Sequence, residues 1–590
     1  MEETAMNFNL LPNELLLAFF EYLYGDDLLH AFYGLNARIN ALLYKQHRCY
    51  FFKYSSLPKC SLNLICQQHI PMIADGILAL HLYESTLRQI ELFSSYLPSL
   101  RQFTHLRSLS LSGLRSKEFV LKFATELPHL VQLAHLKLDS CCIPHYDATD
   151  LELLTNNIWN LPNLTHYYFN VRKKGQQSFI ISPNISSSLK YLSIDTEELN
   201  LNSIKRLFQH TPNLKYFQGY IDSFDNNDYY IRSSFSSLTN LKIFIRDYPL
   251  KIISFLRNTP NLYCLKIIMK YCNFIDGYPL EDLIRNYLPK LRTFRLSMTN
   301  LFLMRPMTEE QIDALMNSFR SSFWIDENRW FFRCMADEHF IRFRTVSNAF
   351  RYRRMRLPRV FKSTDPQDNI ERLYTTMNSI SDETLLDQPI LSKIFFPKLY
   401  SLSVKCPIND QYWSMISNSH QASSLSLNFS TGFSQSELQT FLNRVPHLRT
   451  LTIYQNASLP FPMSLFNCTF PSIHYLYLQY CNHYFNEEDC IVLTQSSLTS
   501  QCKQLEILVK NRQSIKILVN NMISLCSLGA RFPDENINEI INEIINEIRP
   551  SRMCNNVDDE DIQWLVNHLP STCTISRDPS CINDIQIWIK

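Results

Sequence analysis

Large apolar residues recur along most of the chain in the pattern Leu-x-x-Leu-x-Leu, in which other large apolar residues replace some leucines. Clear copies occupy residues 106–111, 133–138, 189–194, 262–267, 291–296, 399–404, 448–453 and 473–478, and weaker copies start at Ile77, Leu164, Leu214, Leu238, Ala422 and Leu505. Successive starts lie 24 to 31 residues apart from Ile77 to Leu291, and 23 to 32 residues apart from Leu399 to Leu505. Alternating apolar residues predict a short strand with one buried face, and the regular spacing predicts a repeat array.

A helical segment such as residues 202–210 lies between successive strands and ends at a proline shortly before the next strand. These prolines include Pro128, Pro162, Pro260, Pro289, Pro446 and Pro471. A unit made of a strand, a turn, a helix and a return cannot bury its apolar face alone, so neighbouring units stack. The sequence therefore predicts an α/β solenoid with a curved parallel sheet and helices on its convex side.

The N-terminal residues follow a helical pattern instead. Apolar residues recur at helical spacing in three short runs, which are Leu15, Leu16, Phe19, Phe20 and Leu23, then Leu28, Leu29, Ala31 and Phe32, then Leu35, Ile39, Leu42 and Leu43. Pro12 suits a first helical turn. Three helices this short cannot bury all of their apolar surface among themselves, so the excess predicts a partner. The alternative is a helical cap on the array that binds no partner.

These residues resemble an F-box, the short helical motif by which substrate adaptors bind the Skp1 subunit of cullin-RING ubiquitin ligases. The family pattern Leu-Pro-x-Glu-Leu-Leu is matched by residues 11–16, its aromatic-Leu pair by residues 22–23 and its Asp-Leu-Leu by residues 27–29. The chain departs from the family at Val-Cys-x-x-Trp, in whose place residues 35–39 stand. The resemblance implies a three-helix F-box that binds Skp1, and a cullin through it. The implied Skp1-binding residues are Leu11, Pro12, Leu15, Leu16, Phe19, Phe20, Leu23, Leu28 and Leu29. The variable repeat period and the scarcity of glycine also look like the leucine-rich repeats of F-box adaptors.

The patterns divide the chain into five parts: an F-box at 5–52, repeats at 70–300, an insertion at 301–390, further repeats at 391–530 and a C-terminal helical cap at 531–590. Two aromatic runs in the insertion, 330–334 and 340–343, flank an acidic turn and predict a β-hairpin. Residues 370–375 are a degenerate repeat. The cap is predicted from a four-residue isoleucine repeat at 537–548, for which a coiled-coil seam is the alternative.

Composition excludes several classes of function. A net charge of +2 gives no general attraction to nucleic acid, and the nine glycines are too widely spaced for a P-loop or a dinucleotide-binding fingerprint. No Cys-x-x-Cys, His-Glu-x-x-His or Gly-x-Ser-x-Gly occurs, and Cys481, His483 and Cys490 lack a fourth metal ligand. We therefore expect no enzyme activity, catalytic residue, metal or cofactor.

Targeting patterns and cysteine usage indicate where the protein acts. No signal-peptide pattern and no apolar stretch long enough to span a bilayer occur. We expect a soluble intracellular protein, cytoplasmic or nuclear, that binds no membrane. Cys141 and Cys481 follow the strand pattern at the same repeat position, which predicts structural thiols that satisfy backbone groups at a turn.

In each repeat the residue between the last two apolar positions points to the concave face, because strand side chains alternate. This row reads Ser110, Lys137, Tyr168, Ser193, Gln218, Lys242, Lys266, Arg295, Ser403, Ser426, Thr452 and Tyr477. Three successive repeats thus present Lys242, Lys266 and Arg295, shortly before a segment, 320–362, with eleven Lys or Arg and four Asp or Glu residues. The three cations predict a site for an acidic or phosphorylated protein segment, and a solvated basic stripe is the alternative.

A docking motif followed by a repeat array predicts a non-catalytic adaptor of a Skp1–cullin–F-box ubiquitin ligase, whose repeats bind a protein substrate. The alternative is an RNA-associated protein or a scaffold that works without a ligase. The RNA hypothesis depends on residues 350–356, in which Arg351, Arg353, Arg354 and Arg356 stand beside Phe350 and Tyr352. Such residues provide phosphate contacts and stacking faces.

Overall fold

The computed structural model describes residues 11–54, 63–83, 89–97, 99–114, 117–142, 148–172, 179–221, 234–245, 251–270, 273–301, 307–336, 340–346, 360–369, 379–381, 400–406, 422–429, 435–455, 461–470, 473–533, 560–578 and 581–589. The degenerate repeat at 370–375 and the isoleucine repeat at 537–548 lie outside these residues.

The described strands form two sheets. The first sheet contains β1 (Tyr50–Tyr54), β2 (Ile77–Tyr83), β3 (Ser108–Ser112), β4 (His135–Cys142), β5 (His166–Arg172), β6 (Tyr191–Leu199), β7 (Tyr216–Ile221), β8 (Asn240–Ile245), β9 (Cys264–Lys270), β10 (Thr293–Leu301), β11 (Phe332–Ala336), β12 (Phe340–Thr345) and β13 (Val360–Ser363). The second contains β14 (Ser379–Ser381), β15 (Ser401–Cys406), β16 (Ser424–Phe429), β17 (Thr450–Gln455), β18 (Tyr475–Tyr480), β19 (Gln504–Leu508), β20 (Ser527–Arg531), β21 (Thr574–Asp578) and β22 (Cys581–Trp588).

Helices separate most of these strands along the chain. The α-helices are α1 (Asn13–Phe20), α2 (Gly25–Phe32), α3 (Ala37–Ala41), α4 (Ile70–Ile73), α5 (Gln89–Tyr96), α6 (Lys117–Glu126), α7 (Ala148–Trp159), α8 (Leu201–His210), α9 (Lys251–Leu256), α10 (Gly277–Tyr287), α11 (Glu309–Ser318), α12 (Gln435–Arg444), α13 (Glu487–Gln495), α14 (Arg512–Asn521) and α15 (Glu560–His568). Single 3₁₀ or π turns occupy Leu42–Gln46, Ile65–His69, Ala74–Gly76, Leu100–Gln102, Leu127–His129, Phe323–Glu327, Met463–Asn467 and Ser497–Thr499.

The strands follow the leucine pattern in their order and in their burial. Each strand from β1 to β9 pairs in parallel with the next, and so does each strand from β14 to β19. In β8, Leu241, Ile243 and Ile245 are buried, whereas Lys242 and Phe244 are half-buried on the other face, which we call the open face. The chain is therefore an α/β repeat array, and the predicted strand phase is confirmed.

An asparagine ladder ties successive units together. Three units end their helix with Pro-Asn-Leu, and each asparagine side-chain amide donates to a backbone carbonyl of the preceding unit. The bonds join Asn163 to Val131 at 2.8 Å, Asn213 to Ser187 at 2.8 Å and Asn261 to Ser236 at 2.7 Å. Cys481 acts similarly at the turn after β18, because its thiol donates to the Ile453 carbonyl at 3.2 Å, as predicted.

The insertion ends the first sheet. The predicted hairpin is confirmed, since β11 and β12 pair antiparallel, and β12 also pairs antiparallel with β10. Strand β13 joins the outer side of β11. The buried Arg333 on β11 forms a bidentate pair with the buried Asp368, in which Arg333 Nε donates to Asp368 Oδ2 at 2.7 Å. The reversal from parallel to antiparallel pairing closes that end of the repeat array.

The two ends of the array differ from the expected boundaries. The predicted F-box at 5–52 includes part of β1, which begins the first sheet and was not anticipated. The predicted helical cap at 531–590 contains α15, but β21 and β22 follow it as an antiparallel pair, and β22 joins β20. This correction has a simple cause. Ile585 and Ile587 alternate with polar residues in the manner of a strand, and both are buried.

Two cores accompany the two sheets. The first extends from Leu16 on α1 to Phe343 on β12, so the N-terminal helices and the first repeats share one core. The second surrounds β15 to β20 and the C-terminal strands. Met335 on β11 packs with the second core, and Trp588 on β22 packs with the first.

Candidate functional site

The nine predicted Skp1-binding residues differ in how deeply the chain buries them. Leu16, Phe20, Leu28 and Leu29 are buried inside the chain, and Leu11 and Leu23 are partly buried. Pro12, Leu15 and Phe19 are exposed. The buried residues of α1 and α2 therefore hold the helices together, and the exposed Pro12, Leu15 and Phe19 are the ones accessible to another molecule.

Leu15 and Phe19 lie on one side of α1, together with Tyr22. Leu15 is 56% exposed, Phe19 42% and Tyr22, in the turn after the helix, 88%. Residues separated by four and seven positions lie on the same face of a helix. We call these three residues the N-terminal apolar surface. Phe19 also contacts Phe32, because the two rings meet edge-on with their centres 6.0 Å apart.

The third helix is held in place although its sequence departs from the family pattern. The Asn36 side chain accepts from the Ile39 N–H at 2.8 Å and caps α3. Arg38 donates to Asn13 Oδ1 at 2.9 Å and to the Leu11 carbonyl at 2.5 Å, which ties α3 to the start of α1. Ile39 is buried in the core. The hydrogen bonds of Arg38 and the burial of Ile39 thus fix the position of α3.

The N-terminal helices contact β1, the first strand of the first sheet. Lys53 lies on the edge strand β1, and its backbone N–H donates to the Asp26 carboxylate at the start of α2. Burial raises the pKa of Asp26, and backbone hydrogen bonds, including the one from Lys53, oppose that rise. The Tyr50 hydroxyl donates to the Leu43 carbonyl at 2.7 Å. The N-terminal helices are therefore fixed to the repeat array by buried contacts.

The open face of the first sheet brings the predicted basic residues together. Lys242 is the register partner of Lys266, and Lys266 is the partner of Arg295, on β8, β9 and β10. We call these three residues the basic row. Gln218 on β7 is the register partner of Lys242 on the other side. Adjacent strands lie about 4.8 Å apart, so the row is compact.

Burial and mutual repulsion act on the lysines of the basic row. Burial lowers the pKa of Lys242, and the Asp195 carboxylate opposes that change. The Lys242 ammonium group donates to Gln218 Oε1 at 3.0 Å and lies 4.8 Å from the centre of the Phe244 ring. Burial also lowers the pKa of Lys266, and the charges of Lys242 and Arg295 lower it further.

A second polar cluster lies on the same face, on β4 to β6. Lys137 and Asp139 form an ion pair at 2.7 Å, and Asn170 donates to Asp139 at 3.0 Å. The Tyr168 hydroxyl donates to Asp195 Oδ2 at 3.1 Å. This cluster sets one lysine among two carboxylates, Asp139 and Asp195, whereas the basic row contains three cations.

An aromatic column beside these polar residues was not anticipated from the sequence. His135 and His166 stack at 4.1 Å, His166 and Tyr191 at 4.0 Å, and Tyr191 and Tyr216 lie 6.1 Å apart. Each occupies the third position of its repeat, a regularity that the sequence already contains. The rings of His135, His166 and Tyr191 cover one another's facing sides, which leaves less ring surface on which nucleic-acid bases could stack.

The structure does not test the RNA hypothesis at the arginine-rich segment. Arg351, Arg353, Arg354 and Arg356, with Phe350 and Tyr352, lie outside the described residues. Arg333 and Arg344 of the same insertion are buried in the sheet.

Cysteine and metal chemistry are equally limited in the described part of the chain. Burial raises the pKa of the Cys481 and Cys490 thiols to about 12, so both are poor nucleophiles and poor metal ligands near neutral pH. His483 contacts Asp489 at 3.1 Å. Among the residues described, no three or more His, Cys, Asp or Glu side chains gather in a metal-binding arrangement. The described helices include none with the length and apolar character needed to cross a membrane.

Comparisons with known proteins give little further guidance. No protein-family model and no curated protein matches the chain. Among solved structures it is similar to an internalin (inlF) from Listeria monocytogenes, with a TM-score of 0.20, 13% identity, and coverage of 82% of this chain and 100% of that one. It is also similar to a leucine-rich-repeat (LRR) protein from Leptospira interrogans, with a TM-score of 0.19, 12% identity, and coverage of 71% and 84%. Because these TM-scores are low, the fold assignment depends on the chain's own repeats and sheet order.

Proposed function

We propose that this chain is a non-catalytic adaptor of a Skp1–cullin–F-box ubiquitin ligase, in which the N-terminal helices bind Skp1 and the repeat array binds a protein substrate. The observation that carries the proposal is the N-terminal apolar surface, which exposes Leu15 and Phe19 within the segment that resembles an F-box. Exposed apolar residues grouped on one face indicate a protein-binding site.

The attachment of the helices to β1 supports the same proposal. An adaptor brings two proteins together at a defined distance and orientation. Gly25 packs on Phe52, and Asp26 accepts the Lys53 N–H, so the N-terminal helices have a fixed orientation relative to the first repeats. A bound Skp1 and a substrate on the open face would therefore be held in one geometry.

The test is a pull-down of purified Skp1 by the full chain. We expect Leu15→Ser with Phe19→Ser to abolish binding without unfolding the protein, because both side chains are exposed. The matched control is Leu153→Ser with Tyr278→Ser, which removes two exposed apolar side chains elsewhere. Leu16 is unsuitable for this test, since it is fully buried and its replacement would disturb the fold.

Absence of Skp1 binding by the wild-type chain, or equal binding by the double variant and the wild type, would refute the docking proposal. Binding of Skp1 without co-purification of a cullin would instead favour a scaffold that works outside an active ligase. RNA in the purified complex would favour the hypothesis of an RNA-associated protein. A steep loss of RNA binding with rising salt would then indicate contacts to the phosphates.

A further inference from the structure

The basic row brings three cations together in adjacent register positions, whereas the cluster on β4 to β6 sets one lysine among two carboxylates. The Lys242 ammonium group meets two neutral groups, the Gln218 amide oxygen and the Phe244 ring. Lys266 stands between Lys242 and Arg295 in register, and both neighbouring charges act against its own. The carboxylate that acts on Lys242, Asp195, already accepts the Tyr168 hydroxyl. An anion over the row would relieve this repulsion.

Gln218 is oriented as a further donor at the end of the row. Its Oε1 atom accepts two hydrogen bonds, from the Tyr216 hydroxyl at 3.1 Å and from Lys242 Nζ at 3.0 Å. Because both donors end on the oxygen, the two amide N–H groups point away from them. The amide nitrogen of Gln218 can then donate to an oxyanion.

An apolar border runs beside the basic row, two residues further along the same strands. The rings of Tyr220 and Phe244 stack at 4.5 Å with an angle of 17° between their planes. Ile268 on β9 continues the border, and all three side chains are half-buried on the open face. A ligand that covers both lines therefore carries an anionic group next to an apolar one.

We propose that Gln218 and the basic row bind the phosphate group of a phosphorylated side chain on a partner protein, whose apolar part rests on Tyr220, Phe244 and Ile268. A phosphate carries a charge of about −1.5 to −2 and three acceptor oxygens at neutral pH, whereas a carboxylate carries a single charge. Three cations in adjacent register positions match the larger charge, and Arg295 adds a planar fork that suits two phosphate oxygens. The proposal deepens the substrate-binding half of the proposed function and depends on it.

The first experiment uses the full chain and three small probes in calorimetric titrations. Phenyl phosphate has both the anionic and the apolar part, inorganic phosphate has only the anionic part, and benzoate has a carboxylate in place of the phosphate. We expect phenyl phosphate to bind about tenfold more tightly than either other probe. Equal binding of inorganic phosphate would assign the row to free phosphate, and equal binding of benzoate would show that it accepts any anion. Either result, or no saturable binding at all, overturns the proposal.

The second experiment tests whether phenyl phosphate binds at the basic row. Lys242→Met with Lys266→Met keeps side-chain length and removes two charges, so phenyl phosphate affinity should fall by at least about tenfold. The control is Lys190→Met with Lys215→Met, which removes two exposed charges from neighbouring turns and should change affinity less than about twofold. Equal losses in the two variants would mean non-specific attraction and overturn the proposal.

A variant that retains the positive charge tests the proposal even if the double variant does not fold. Arg295→Lys preserves the cation but not the fork, so it should weaken phenyl phosphate binding and leave benzoate binding unchanged. Unchanged phenyl phosphate affinity would refute the role of Arg295. Skp1 capture by the same proteins is measured separately, and therefore failure of phosphate binding is distinguishable from failure of the docking proposal.

Discussion

The ring of Phe52 on β1 lies directly against Gly25 at the start of α2, and a Cβ atom at position 25 would be 2.7 Å from two of its carbons. Both residues are buried. Gly25 is thus required for close packing and not for a special backbone conformation. Through this contact the N-terminal helices pack on β1, so one segment both contributes to the first core and presents the N-terminal apolar surface.

Gly25→Ala should therefore destabilise the protein. An added methyl group in a filled core typically costs about 1–3 kcal/mol. Urea unfolding followed by circular dichroism would measure the loss, with His30→Ala as the control, since His30 is exposed on the same helix. Equal unfolding midpoints for the two variants would mean that Phe52 moves aside easily and that the helices are only loosely attached.

The repeat array was predictable because the same apolar pattern occurs many times along the chain. A single Leu-x-x-Leu-x-Leu segment is ambiguous, but many copies at a steady spacing fix both the strand positions and the side of the sheet that each residue faces. The basic row followed directly from that phase, since register alone brings Lys242, Lys266 and Arg295 together.

Features that occur once, or that depend on packing, could not be predicted in the same way. Leu15 and Leu16 have equal hydropathy and adjacent positions, yet one is exposed and the other is buried by the rest of the chain. Strand β1 lacks the leucine pattern, so the sequence places most of it within the predicted F-box at 5–52. The Asn213 bond to the preceding unit appears only when the units are stacked, although the recurring Pro-Asn-Leu triplet hinted at a shared role.

The strand phase predicts a sharp contrast between neighbouring positions. Leu451→Ala should cost about 2–5 kcal/mol, because Leu451 is fully buried in β17. Ser426→Ala, on the open face of β16, should change stability by less than about 0.5 kcal/mol. Thr452 also belongs to the open-face row, but it is only 8% exposed and therefore a poor neutral control. Similar melting temperatures for the leucine and serine variants would contradict the phase.

The buried ion pair in the insertion should matter far more than an exposed one. Asp368→Ala leaves Arg333 charged and buried without its carboxylate, which typically costs about 3–5 kcal/mol. The exposed pair between Arg48 and Asp75 is the control, since Asp75→Ala should cost less than about 1 kcal/mol. Chemical unfolding of both variants gives the comparison. A small loss for Asp368→Ala would show that water reaches Arg333.

Glu506 on β19 should make the stability of the second sheet depend on pH. Burial raises its pKa above the ordinary value of 4.5, while hydrogen bonds from Gln504 and Gln586 oppose the rise. Gly529 leaves room for the carboxylate, because a Cβ atom there would overlap Glu506 Oε2. When the folded pKa of an acid is raised, the folded state holds its proton at pH values where the unfolded state has lost it. The contribution of Glu506 to stability is therefore greatest below pH 4.5 and is lost as the pH rises through its folded pKa.

Glu506→Gln, which stays neutral, should raise the melting temperature near neutral pH, and its advantage over the wild type should shrink as the pH falls toward 4.5. Glu487→Gln, at an exposed position on α13, is the control and should show no such trend. An advantage that stays constant across this range, or a lower melting temperature at neutral pH, would mean that Glu506 is stabilised as a carboxylate.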